Sequence, residues 1–141
     1  MYTPDPLAPS FHFEIVTPEK TVYSSSERAV LLPGDEGDMT ILARHTPMVI
    51  ALRAGLIAIF RDEKTQPEEF FISGGFVDIN TEHCIVLAPQ AVAVQALDAA
   101  TLTDQLTRLR VDLEATEDAA QRKILSDKIA LFNMQLAIAE R

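Results

Sequence analysis

Apolar and polar residues alternate from the first strong segment of the chain. Phe11, Phe13 and Ile15 stand against His12, Glu14 and Val16, the period of two expected of a strand with one buried face. Pro18-Glu19-Lys20 ends that strand with a turn. Thr21-Val22-Tyr23 and Arg28 to Leu32 predict two further strands, and the polar run Ser24-Ser25-Ser26-Glu27 between them reads as a loop. Leu56-Ile57-Ala58-Ile59-Phe60 is apolar throughout, as expected of a strand covered on both faces. After a charged hairpin loop, Arg61 to Glu69, the run Phe70 to Ser73 meets Gly74-Gly75, where a bend or bulge is expected before Phe76 to Ile79 continues. Asn80 to His83 then links that strand to Cys84 to Ala88 by a short antiparallel connection. Short strands separated by frequent turn signals describe an all-β sandwich or barrel, ending near Ala88 to Gln95.

Leu32 to Gly55 is the densest stretch of turn signals. Pro33-Gly34 and Glu36-Gly37 mark turns, because Pro presets a negative φ and Gly tolerates a positive one. Asp35, Glu36 and Asp38 put three carboxylates on one exposed loop before the chain returns inside at Ile41-Leu42. His45-Thr46-Pro47 forms a second corner ahead of the apolar run Met48 to Leu52.

From Leu97 onward the period changes to that of a helix. Leu102, Leu106, Leu109 and Leu113 make one apolar stripe, and Leu125, Ile129, Phe132 and Leu136 make a second. Asp98 or Thr101 can cap the first helix, with Thr101-x-x-Asp104 resembling a capping box. The second is expected to open near Thr116, with Glu117 and Asp118 in its first turn. Two stripes joined by a short polar link predict an antiparallel helical hairpin. The predicted organisation is a tail over residues 1–10, a β-sandwich over 11–95 and a helical hairpin over 96–141. If both helices swung out end to end, about forty residues at about 1.5 Å each would reach roughly 60 Å.

Composition narrows the function. The net charge of −9 and the pI near 4.7 argue against non-specific binding to nucleic acid or an anionic membrane, both of which need a cationic face. Eight acids and six bases lie from Leu97 onward, giving −2 there and −7 before it. The longest apolar stretch, Met48 to Phe60, is interrupted by Arg53 and Gly55 and is too short to insert in a bilayer. The start has neither a signal-peptide nor a transit-peptide pattern, which sets the expectation of a cytosolic chain. Cys84, the single cysteine, sits in an apolar strand and is expected to be a buried, inert thiol. His12, His45 and His83 lie on different segments, so no metal site is expected. Ser24 to Ser26 lacks a nucleophile elbow, Gly74-Gly75 opens no helix that could cradle a phosphate, and the acidic loop lacks the ligand series of a Ca²⁺ loop. No catalytic constellation is expected.

Four stretches, Phe13 to Glu19, Leu32 to Leu52, Ala54 to Ile59 and Phe71 to Val77 running on to Val86-Leu87-Ala88, resemble the ε subunit of F-type ATP synthases. The resemblance implies a flattened antiparallel β-sandwich of about ten strands followed by a two-helix hairpin. It implies a non-catalytic rotor subunit that joins the γ subunit to the membrane c ring during proton-driven ATP synthesis, at the cytoplasmic face of the bacterial inner membrane. By position, Gly34, Asp35, Glu36, Gly37, Asp38, Met39 and Thr40 match the family's c-ring-facing loop, with Asp38 where a family carboxylate meets the ring. His45 matches the γ-facing side, with Met48 in its apolar patch.

The helices match the family's regulatory element, which when extended reaches the α/β catalytic head and inhibits ATP hydrolysis. Some members bind ATP through a Leu-Asp-x-x-Arg-Ala motif. Here Leu97-Asp98-Ala99-Ala100-Thr101-Leu102 keeps the Leu and Asp and lacks the Arg, which removes the guanidinium that pairs with phosphate. No cofactor is expected, and the inhibition expected is weak or conditional. The alternative reading is a free-standing small-ligand or nucleotide-binding sandwich with a helical lid.

Overall fold

The computed structural model describes residue 5, residues 7–62 and residues 65–141. Half of the expected N-terminal tail and two residues of the charged loop after Arg61 therefore lie outside the described residues. Among the described residues ten strands are hydrogen-bonded, some to sequence neighbours and some to distant strands: β1 (Phe11–Val16), β2 (Thr21–Glu27), β3 (Ala29–Gly34), β4 (Gly37–Leu42), β5 (Met48–Leu52), β6 (Gly55–Phe60), β7 (Glu68–Ile72), β8 (Gly75–Ile79), β9 (His83–Leu87) and β10 (Ala91–Ala93). The order across the sheet is β10-β7-β6-β3-β5-β8-β9-β1-β2, with β4 on β3. Between β3 and β5 only Gly34 and Leu52 are bridged. The ribbon breaks there into two layers, β4-β3-β6-β7-β10 and β5-β8-β9-β1-β2. All pairings are antiparallel except β1 with β9, two strands with no hairpin between them to force opposite directions.

The core lies between the layers. Phe13, Ile15, Val77, Ile79 and Val86 from one layer bury against Val30, Leu32, Ile57, Ile59 and Ile72 from the other. In β6 the consecutive residues Ile57, Ala58 and Ile59 are all buried, in keeping with the apolar run. Tyr23 joins the layers through tilted ring contacts with Phe13 at 6.0 Å and Phe70 at 5.3 Å.

Several local expectations are corrected. Ser24 to Ser26 are not a loop: β2 runs through them, because pairing with His12, Phe13 and Glu14 of β1 satisfies their backbone. Pro33-Gly34 ends β3 rather than forming a turn, and the turn is Asp35-Glu36. Of the returning pair only Ile41 is buried, while Leu42 is exposed, since neighbours on a strand face opposite sides. Gly74-Gly75 carries the expected bend at Gly74, but between two strands rather than within one, and without a bulge. It separates β7 and β8, which pair with different neighbours, and both glycines have positive φ, 121° and 129°. A Cβ on Gly75 would stand 2.1 Å from the Leu87 carbonyl oxygen.

The chain divides into two compact units, Met1–Ala93 and Val94–Arg141. The second opens with a 3₁₀ turn, Val94–Ala96, followed by α1 (Ala99–Ala115) and α2 (Ala119–Ala139). Leu102 and Leu106 of the first stripe are buried, and Leu125, Ile129, Phe132 and Leu136 of the second are half-buried. Thr101 lies inside α1, so Thr101-x-x-Asp104 is no capping box; Asp98 holds the N-cap position. Thr116, Glu117 and Asp118 form the link, and the Asp118 carboxylate accepts from the Gln121 N–H at 3.0 Å as the cap of α2. Arg122 donates to the carbonyls of Leu113 (2.6 Å) and Thr116 (2.8 Å), placing a cation on the C-terminal end of α1.

Gly75→Ala combines that collision with a backbone conformation reserved for glycine, which by itself costs about 1–3 kcal/mol. The urea midpoint is expected to fall by the equivalent of at least about 3 kcal/mol, against under about 0.5 kcal/mol for the exposed Glu19→Ala. A loss below about 1 kcal/mol at Gly75 would contradict this account of the β7–β8 crossing.

Candidate interaction surfaces

Strands β5, β7 and β9 each reach the same corner of the sandwich, where the chain passes between the layers at Arg53-Ala54, Ser73-Gly74 and Pro89-Gln90. The β3–β4 turn stands at this corner. The Asp35 N–H donates to the Ala51 carbonyl and the Arg53 N–H to the Pro33 carbonyl, both at 2.9 Å. The Arg53 guanidinium donates to the Gly34 carbonyl at 2.5 Å and pairs with the Asp38 carboxylate. Gly34 is required by close approach, because a Cβ there would lie 2.4 Å from the Gly37 carbonyl oxygen.

The expected acidic loop from Gly34 to Thr40 is therefore a tight hairpin. Asp35 and Glu36 form its exposed tip, while Asp38, Met39 and Thr40 already belong to β4. His45 and Met48 lie at the other end of the layers. His45 is half-buried with Nδ1 at 2.8 Å from the Thr46 carbonyl oxygen, and Met48 pairs with Ile79, four residues along β5 from the corner residue Leu52.

A surface that reading from the sequence missed occupies the outer face of the second layer. Cross-strand register aligns Ala51, Phe76, Leu87 and Val16 in one row over β5, β8, β9 and β1. Phe76 is 57% exposed, Leu87 50% and the neighbouring Val49 68%. The row continues into an open groove of about 440 Å³ lined by Thr17, Pro18, Gly75, Ala88 and Pro89 as well as Val16, Phe76 and Leu87. The signal was present as apolar residues at positions facing opposite to Val77 and Val86, but single exposed apolar residues are too common to be read one at a time. A contiguous exposed row has a different meaning: it marks an interaction site.

A second, polar hollow of about 510 Å³ is lined by Ser10, Ser25, Ser26, Glu27, Arg28, Phe60, Arg61 and Asp62. At its wall the buried Glu27 carboxylate accepts from the Tyr23 hydroxyl at 2.5 Å, and Arg61 reaches Tyr23 (2.6 Å), Glu68 (2.7 Å) and Glu27 (3.6 Å). Burial, followed by the bond to Glu27, raises the Tyr23 pKa. Among the described residues no buried side-chain polar atom lacks a partner, so these groups are occupied with one another.

Leu97 and Asp98 precede α1 directly, and Thr101 takes the position of the missing Arg. The Thr101 hydroxyl donates to Asp98 at 2.6 Å and is the main cause of a carboxyl held below the usual carboxylate range. No group of three or more His, Cys, Asp or Glu residues among those described could hold a metal ion. His12 instead contacts Glu14 at 2.8 Å, and Asn80 contacts His83 at 2.9 Å. Among the described residues no helix is long and apolar enough to cross a membrane.

Among the described residues the structure defines a ten-stranded β-sandwich followed by a helical hairpin, with an exposed apolar row on one face and an acidic turn at one corner. The model of the ATP synthase delta/epsilon chain beta-sandwich domain matches residues 10–94, and the chain belongs to this family. The ATP synthase epsilon chain of Chelativorans sp. (strain BNC1) is 34% identical over 116 residues, spanning 82% of this chain and 85% of that one. That of Maricaulis maris (strain MCS10) is 31% identical over 133 residues, spanning 94% and 98%. A chain in the structure of the Euglena gracilis mitochondrial ATP synthase OSCP/F1/c-ring shares the fold, with a TM-score of 0.72 at 23% identity, covering 94% of this chain and 84% of that one. By family identity the protein is a non-catalytic component of ATP synthase.

Cys84 is fully buried, and desolvation, with a smaller contribution from the Asp78 charge, pushes its thiol up to about 12. An unfolded thiol ionises near 8.5. Above about that pH the unfolded chain releases a proton that the folded chain keeps, so this group lowers stability as pH rises toward 12. At pH 8 the native thiol should react with a thiol reagent at least about a hundredfold more slowly than in denaturing urea. Comparable rates would contradict its burial.

Proposed function

We propose that the chain acts as a central-stalk rotor subunit, with the outer face of β5-β8-β9-β1 docked on the γ subunit and the β3–β4 turn facing the c ring. The observation that carries this reading is the exposed row Ala51, Phe76, Leu87 and Val16 with its adjoining groove. Water-exposed apolar area of this kind is stabilised when a partner covers it. His45 and Met48 would then form the rim of the γ contact at the far end of β5. In proton-driven synthesis such a subunit sits peripherally, at the cytoplasmic face of the bacterial inner membrane, and transmits rotation between γ and the ring.

The helical hairpin is proposed as a weak or conditional brake on ATP hydrolysis. Its reach supports an excursion toward the α/β head, while its net −2 charge supplies little attraction to acidic surfaces there. ATP is not proposed as a ligand, because the Asp98 carboxylate is engaged by Thr101 and no guanidinium stands beside it in the motif. The polar hollow between Ser10 and Asp62 favours the alternative small-ligand reading, but the pairing of its charged groups weakens it.

Phe76→Asp should leave the circular dichroism spectrum intact and weaken γ binding by about thirtyfold or more, the scale of a central aromatic anchor. Unchanged affinity would remove this face from the contact. Millimolar ATP should leave the thermal midpoint of the isolated chain unchanged, whereas a rise of several degrees would favour the small-ligand reading.

A further inference from the structure

Resting on the proposal that the β3–β4 turn faces the c ring, we infer that Arg53 is the positioning residue of that turn, and that Asp38 acts through Arg53 rather than by touching the ring. Arg53 lies on the connection between β5 and β6, fifteen residues from Asp38 in sequence. It nevertheless supplies three of the four hydrogen bonds that stitch the turn to the corner: its N–H to Pro33, and its two guanidinium branches to Gly34 and Asp38. The fourth runs from the Asp35 N–H to Ala51.

The planar fork explains the residue type, because one rigid group satisfies a carbonyl and a carboxylate on opposite arms of the hairpin. The consequence for charge is specific. Asp38, although 56% exposed, has its charge paired by Arg53 within the chain, whereas the likewise exposed Asp35 and Glu36 bear the unpaired carboxylates of the turn among the described residues. A turn fixed at both arms to the sandwich moves with it as one body, which is what transmission of rotation requires. A partner surface with cationic or hydrogen-bond-donating groups fits this tip.

The test uses the assembled synthase in vesicles, with Arg53→Gln, Asp38→Asn and the charge swap Arg53→Asp/Asp38→Arg. Amide exchange at Asp35 in the isolated chain reads the clamp. Retention of the c ring and proton pumping per ATP hydrolysed read its use, and γ binding serves as the control. Either single variant is expected to speed exchange at Asp35 by about tenfold or more and to lower ring retention severalfold with γ binding unchanged. The swap is expected to restore at least half of the retention. Exchange unchanged in Arg53→Gln would overturn the clamp. A swap as defective as Asp38→Asn would overturn the indirect role of Asp38. Faster exchange with normal ring retention would instead overturn the ring-facing reading of the turn.

Discussion

The structure depends on one constraint: at the corner where the chain passes three times between the two layers, it must do so without leaving backbone groups unpaired. Between β3 and β5 the continuous ladder is reduced to the Gly34–Leu52 bridge. The flanking bonds from Asp35 to Ala51 and from Arg53 to Pro33 close what the ladder leaves open. Gly34 and Gly75 permit the approach, since a Cβ on either would collide with a carbonyl oxygen. With the corner closed, Leu32, Leu52, Val77 and Ile72 can all face the same interior, and apolar burial there stabilises the fold.

That arrangement also decides what remains outside. Because side chains alternate along a strand, fixing Val77 and Val86 inward forces Phe76 and Leu87 outward. Register then brings them beside Val16 and Ala51. The apolar row is thus not an accident of composition but the other face of a well-specified layer. The carboxylate tip follows from the same corner, where the hairpin between β3 and β4 projects past the crossing.

Strand existence and the change to helical period were legible in the sequence because burial on one face imposes a period that short segments display directly. The alternation at Phe11, Phe13 and Ile15 and the stripe at Leu102 and Leu106 both match buried positions. Ser24 to Ser26 misled because their polar side chains hide a backbone committed to pairing with β1. At Gly74-Gly75 the bend was legible but the crossing between layers was not, because a bend within a strand and a crossing share the same local chemistry and only long-range pairing separates them. The apolar row and the Arg53 clamp were not legible for that reason: Phe76 meets Leu87, and Arg53 meets Asp38, only through register and topology.

The most direct test of the account is an amide-exchange footprint of the chain alone and bound to γ. Docking on the outer face of the second layer predicts that the peptides containing Phe76 and Leu87 gain the strongest protection, while the Asp35-Glu36 turn remains as open as in the free chain. Protection concentrated on the β3–β4 turn, with the Phe76 and Leu87 peptides unchanged, would contradict it.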